Sequence, residues 1–265
     1  MNRIEAGSAD ELAALRQRVQ TLEKENTELR EDALQTSDLL YEFTRRTLLS
    51  SASIQTAVSS MLSENFLWDG SSDREFLEII DESISFICNQ LSLVSMLLRI
   101  QSNKADIRFD SYPIDEVLNG MMDSVQKRMK KENIPAENIL FKLSESDKLI
   151  NADYNYINTG LTLFISGLMD FGGPVRVTGT ENGLDYELRV ENCAESAVKM
   201  VRYLLTDGAL PEGMSNNHYS NAALKLMVST KLLQMQNAVI TPVLDGSDHM
   251  MVTVAIPLLG ESAKR

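Results

Sequence analysis

From Ser8 to Asp69 the chain runs without a proline or a glycine. An unbroken stretch of that length that also keeps a heptad register has few folds open to it beyond long paired helices. Ser8-Ala9-Asp10-Glu11 forms a capping box at its start, the Ser hydroxyl and the Glu carboxylate accepting from the first backbone N–H groups. One set of seam positions is Leu12, Val19, Asn26, Ala33, Leu40, Thr47, Ile54 and Met61; its partner set is Leu15, Leu22, Leu29, Thr36, Phe43, Ser50 and Ala57. Residues 16–31 are polar or charged everywhere except at the seam, which favours a two-stranded coil over a helix lying on its own domain. Asn26 on the seam selects parallel pairing, because buried Asn amides pair best across a dimer axis. Leu15, Val19, Leu22, Asn26, Leu29, Leu40, Phe43 and Ile54 are therefore the expected dimer contacts. Thr47, Ser50 and Ala57 are small or polar, so packing must change in the second half.

Residues 65–72 (NFLWDGSS) read as a turn, with Ser72 or Asp73 capping a second helix. Apolar positions then recur at helical spacing over residues 74–100: Phe76, Ile79, Ile80, Ile84, Ile87, Leu91, Val94 and Leu98. Two long helices joined by a turn make a hairpin, and two hairpins in a dimer make a four-helix bundle. After residue 104 short strands and helices mix. Strands are expected at Ile107–Phe109, Asn138–Leu143, Val175–Thr178 and Tyr186–Val190, the last two around the Asn182-Gly183 turn. Two more are expected at 238–243 and 249–257. Helices are expected from Tyr112-Pro113 to Lys131, over 153–171, in part of 194–219 and over 221–236. The fold class is thus α+β: a coiled coil over 1–36, a dimerisation hairpin over 37–104, and over 105–265 an α/β sandwich with helices on one face of a mixed sheet.

The formal charge of −13 repels phosphate backbones. The basic run Lys127-Arg128-Met129-Lys130-Lys131 ends at Glu132 and reads as a solvated helix end, so nucleic acid is set aside. No stretch reads as a membrane span or signal peptide. Cys88 and Cys193 lie in separate apolar contexts, as reduced packing residues do. Two histidines, His218 and His249, are too few for a His-rich metal site. A cytoplasmic location is expected.

This order of elements resembles the catalytic core of a sensor histidine kinase, a dimeric helical hairpin followed by a GHKL-type ATP-binding sandwich. Glu75-Phe76-Leu77-Glu78-Ile79-Ile80-Asp81-Glu82-Ser83 resembles the start of the family's second hairpin helix. Leu97–Ile100 through Tyr112–Leu118 is similar to its junction into the sandwich. Ala152-Asp153 and the helix to Phe171 resemble the helix of its Asn-containing box. Leu224–Ile240 and Val252–Leu258 resemble its last helix and strands. The resemblance spans roughly residues 37–258 as an ordered series.

The resemblance also says where chemistry would sit. Anchored on Glu42-Phe43, it puts the phosphoacceptor near Leu49, and a leucine has no nitrogen to take a phosphoryl group. Ser50, Ser51 and Ser53 nearby read as packing residues. The two helix positions that gather Mg²⁺ and phosphates fall near Leu163 and Gly167, neither with a side-chain oxygen. The adenine-reading position falls at Asn192, followed by Cys193, Ala194 and Glu195 where glycines would let a backbone approach a ligand. The second glycine motif falls at Ala223-Leu224-Lys225-Leu226, where each Cβ takes phosphate space. Lys225 is expected as a solvated lysine, with phosphate pairing as the alternative. Leu163, Phe164 and Leu224 are expected to fill the pocket. His218, in the lid segment, reads as a loop cap, with a cryptic phosphoacceptor as the alternative; His249 reads as a turn residue.

These features lead us to expect a pseudokinase: a homodimer without catalytic residues, bound cofactor or metal. It would bind a response-regulator receiver domain or a partner histidine kinase. Arg45, Arg46 and Thr47 are the candidate docking residues, with ordinary solvated residues as the alternative. The competing expectations are an unconventional ATP–Mg²⁺-binding kinase and a phosphotransfer protein with a non-standard acceptor.

Overall fold

The computed structural model describes residues 16–24, 26–27, 44–45, 47–61, 71–102, 104–206, 220–244 and 250–259. The chain divides into two units, Met1–Leu49 and Ser50–Arg265. In the first unit every described residue is helical, with Val19, Leu22 and Asn26 exposed. Leu15, Leu29, Leu40, Phe43 and Arg46 lie outside the described residues.

The second unit begins with helical residues 50–61 (α1), where Ala57 is buried and Ile54 half-buried. Helix α2 spans Ser71–Gln101. Its apolar residues divide between two faces. Leu93, Val94 and Leu97 are buried together with Gln90, and the Gln90 amide donates to Asn221 Oδ1 at 2.8 Å, tying this face to the sandwich. Leu77, Ile84, Leu91 and Leu98, seven residues apart, remain exposed. Apolar residues on both faces make Arg74–Gln101 long and apolar enough, by length and composition alone, to pass for a membrane span. This departs from the expectation that no stretch is.

The sandwich is built on a five-stranded sheet of order β2-β4-β5-β7-β6, with β2 at Ile139–Leu143, β4 at Val175–Asn182, β5 at Asp185–Glu191, β6 at Val239–Leu244 and β7 at Met250–Pro257. Only β2–β4 is parallel, so the sheet is mixed. Alternation sorts its two faces. Val175, Val177, Tyr186, Leu188, Val190, Val252, Val254 and Ile256 are buried, while Arg176, Thr180, Arg189 and Thr241 are exposed. The Asn182-Gly183 turn closes the β4–β5 hairpin with Asn182 opposite Asp185 and Gly183 at φ 64°. Helices α3 (Ile114–Lys131), α4 (Tyr154–Asp170), α5 (Glu195–Thr206) and α6 (Ser220–Met235) supply the other layer. Lys130 and Lys131 solvate the end of α3 as expected, but Arg128 does not, being turned to a partner on α4.

One element was not expected and one was misplaced. Strand β3 (Leu149–Ala152) pairs antiparallel with β1 (Asp110–Pro113), whereas Ile107–Phe109 forms no strand. The Arg108 amide donates instead to Asp153 Oδ2 at 3.0 Å. Asp153 is 8% exposed. Its other oxygen caps α4 by accepting from the amides of Asn155 and Tyr156, and its own amide donates to Gln236 Oε1 at 2.7 Å. One carboxylate therefore fixes both the connector and the start of α4. Asp153→Ala removes a cap and orphans the Arg108 amide, and is expected to cost about 2 kcal/mol in urea denaturation; a loss below about 0.5 kcal/mol would show that water replaces it.

Candidate functional site

Of the expected nucleotide positions, Leu163 and Gly167 lie on α4 and Ala223 and Lys225 on α6, and at Gly167 the two helices are in close contact. Gly160 and Gly167 lie seven residues apart on α4 and receive leucines seven residues apart on α6. A Cβ on Gly160 would stand 3.2 Å from Leu233, and one on Gly167 only 2.9 Å from Leu226 and 3.3 Å from the Ala222 carbonyl oxygen. The ascending glycines meet descending leucines, so the helices run antiparallel with side chains of one seated against bare backbone of the other. Phe164, Ala223, Leu224, Leu226 and Leu233 are all buried. Leu163 is only half-buried, so Leu226 and Leu233 do the filling expected of it.

Leu163 and Gly167 bring no oxygen, and the space beside Gly167 is taken by Leu226. ATP and Mg²⁺ do not fit these residues, because Mg²⁺ wants hard oxygen ligands beside its phosphates. Asn192 follows β5 in a left-handed turn, φ 60°, with its residue surface exposed. Ala194 is half-buried, and its carbonyl accepts from the amides of Ala197 and Val198 as α5 begins. Among the described residues no group of three or more His, Cys, Asp or Glu side chains gathers as metal ligands do. A cleft of about 430 Å³ lies elsewhere, between Leu91, Arg99 and Ile100 of α2 and Tyr156 of α4.

Lys225 is not a solvated lysine. Its ammonium bonds to Asp170 Oδ2 at 2.7 Å, with side-chain exposures of 12% and 19%. Arg128 on α3 bonds to Asp170 Oδ1 and also to Glu132. Burial opposes the charge on Arg128, and its two carboxylate partners more than offset this, holding its pKa above the ordinary arginine value. Asp170 thus joins α3, α4 and α6. Sequence reading passed over it, although an acid in the last turn of a helix opposes the dipole and so signals a cationic partner.

Arg45 and Thr47 are half-buried, Leu49 is exposed, and Arg46, His218 and His249 lie outside the described residues. Cys193 is buried; its thiol donates to the Val190 carbonyl at 3.2 Å, and burial pushes its pKa up to about 12.

Comparison with solved structures places this architecture. The histidine kinase AdeS of Acinetobacter baumannii superposes with a TM-score of 0.54 at 11% identity, over 80% of this chain and 96% of that one. Full-length ShkA in complex with AMPPNP gives 0.49 at 13% identity, over 84% of this chain and 46% of that one. A bacterial phosphotransferase gives 0.42 at 13% identity, over 84% and 96%. The likeness to AdeS establishes the fold of a histidine-kinase catalytic core, hairpin plus sandwich. No protein-family model and no curated protein matches the sequence.

Two outcomes follow from the geometry. Gly167→Val forces a branched side chain against Leu226 and is expected to cost about 3 kcal/mol by urea denaturation. The double variant with Leu226→Ala should lose less than the sum of the two single changes, since one leucine occupies the space the other needs; additive losses would separate the two sites. In a Cys88→Ser background Cys193 should resist a thiol reagent until the chain unfolds. Its raised pKa adds stability that is full below the ordinary thiol pKa and falls as pH climbs from about 8.5 towards about 12. Fast labelling of the folded variant would contradict this.

Proposed function

We propose that this protein is a dimeric, catalytically inactive relative of the histidine kinases. It acts by holding a receiver domain or a partner kinase rather than by transferring phosphate. The observation that carries this reading is the closed α4–α6 seam, in which Leu226 takes the space beside Gly167 and no oxygen donor remains at Leu163 or Gly167. The acceptor position near Leu49 supports it, since no histidine occurs before His218.

Dimerisation is supported by the uncovered α2 stripe of Leu77, Ile84, Leu91 and Leu98, a seven-residue repeat that suits a second hairpin. Two such hairpins would form a four-helix bundle in the dimer; the seam of the first unit, by itself, suits a coiled coil. Arg45, Arg46 and Thr47 are the proposed docking residues, and the cytoplasm, where receiver domains work, is the proposed location.

Incubation with radiolabelled ATP and Mg²⁺ should leave no acid-labile phosphate on the full-length chain; label retained at neutral pH and lost in acid would overturn the inactive reading. In sedimentation equilibrium the chain should run as a dimer, and Ile84→Glu/Leu91→Glu should shift it to monomer with its helical circular dichroism kept. A monomeric parent chain would remove the dimer from the reading.

A further inference from the structure

The cleft between α2 and α4 has a volume of about 430 Å³, within the range of small-molecule sites. Its lining from α2 falls in two neighbouring rows, Leu91-Ser95-Arg99 and Ser92-Met96-Ile100, each stepping by four residues. Each row sets one serine among longer side chains, which leaves room over the helix surface. Tyr156, in the first turn of α4, supplies the remaining lining. It lies seven residues before Leu163, so the cleft is about two helical turns along α4 from the nearest expected nucleotide position there. Met96, Ile100 and Tyr156 are half-buried, while Ser95 and Arg99 are exposed. The Ser92 hydroxyl donates to the Cys88 carbonyl at 2.9 Å. Among the described residues the Arg99 guanidinium has no ion pair, and neither it nor the Ser95 and Tyr156 hydroxyls has a hydrogen-bond partner.

We propose that this cleft binds a small aromatic monocarboxylate, with Arg99 holding the carboxylate and Met96, Ile100 and Tyr156 lying against the ring. The planar guanidinium fork matches one carboxylate through two parallel hydrogen bonds. A single cation suits a single negative charge, and the chain's formal charge of −13 repels anions that carry more. A methionine sulfur and a tyrosine ring both pack favourably on an aromatic body. The Ser95 and Tyr156 hydroxyls are left to serve a polar substituent. Leu91 belongs also to the uncovered α2 stripe, whereas the other lining residues lie outside it. This inference goes beyond the reading of an inactive dimer and does not depend on it.

The test is ligand-observed saturation-transfer NMR on the full-length chain, titrated with 3-phenylpropionate, its neutral analogue 3-phenylpropionamide, and octanoate. The unaltered protein should give saturable binding of 3-phenylpropionate in the millimolar range. Loss of the charge pair, by the amide or by Arg99→Gln, should each weaken binding about tenfold. Arg74→Gln, which removes a cation at the other end of α2, should leave the Kd unchanged. Ser95→Trp fills the cleft and should abolish binding with the helical circular dichroism kept, which serves also if Arg99→Gln fails to fold. No saturable signal at tens of millimolar would overturn the site, as would an amide that binds as tightly as the acid. A Kd untouched by Arg99→Gln or by Ser95→Trp would place the binding elsewhere and overturn it as well. Octanoate binding as tightly as 3-phenylpropionate would overturn the assignment to an aromatic acid. No arm of the experiment reads phosphoryl transfer or chain association, so its failure leaves the inactive dimer to its own tests.

Discussion

The antiparallel contact of α4 and α6 governs the rest of the sandwich. Two glycines on one helix admit two leucines of the other, and the backbones approach as closely as leucine side chains allow. Once that distance is fixed, Asp170 at the end of α4 falls within reach of Lys225 on α6 and of Arg128 on α3. At the other end, Asp153 and Gln236 meet where α4 starts and α6 has just ended. A close-packed seam flanked by one polar tie at each end leaves little freedom for the helices to part.

Helix α2 links this layer to the hairpin. Gln90, 2% exposed, reaches Asn221 in the first turn of α6, so the helix that carries the uncovered leucine stripe is also bonded to the helix that closes the seam. Any partner that shifts α2 along its axis must break or carry this hydrogen bond. That gives α2 and the sandwich a direct physical connection.

Much of this was legible in the sequence, for identifiable reasons. The Asn182-Gly183 turn, the alternation of β4 and β5, and the acid before α4 are local signals, and the structure realises each. Long-range pairing was harder. Strand β3 is four residues long and finds β1 about forty residues earlier, with no turn to announce it. Ile107–Phe109 alternates like a strand, yet the Arg108 amide goes to a carboxylate instead of a ladder. Lys225 looked solvated because helical periodicity cannot reveal an acid 55 residues away. Leu91 and Leu98 fitted the apolar stripe of α2, but the buried face passes through Gln90, Leu93, Val94 and Leu97 instead. A helix with apolar residues on two faces hides from its sequence which face its own chain covers. At the candidate site, the missing oxygen at Leu163 and Gly167 was readable directly. That Leu226 rather than Leu163 fills the space depended on the crossing of two helices and was not.

Calorimetric titration of Mg²⁺–ATP into the full-length protein tests the closed seam most directly. With Leu226 seated beside Gly167, the account predicts no saturable heat up to millimolar nucleotide. A saturable exothermic isotherm near one nucleotide per chain would mean that α4 and α6 part to admit a ligand, and would contradict it.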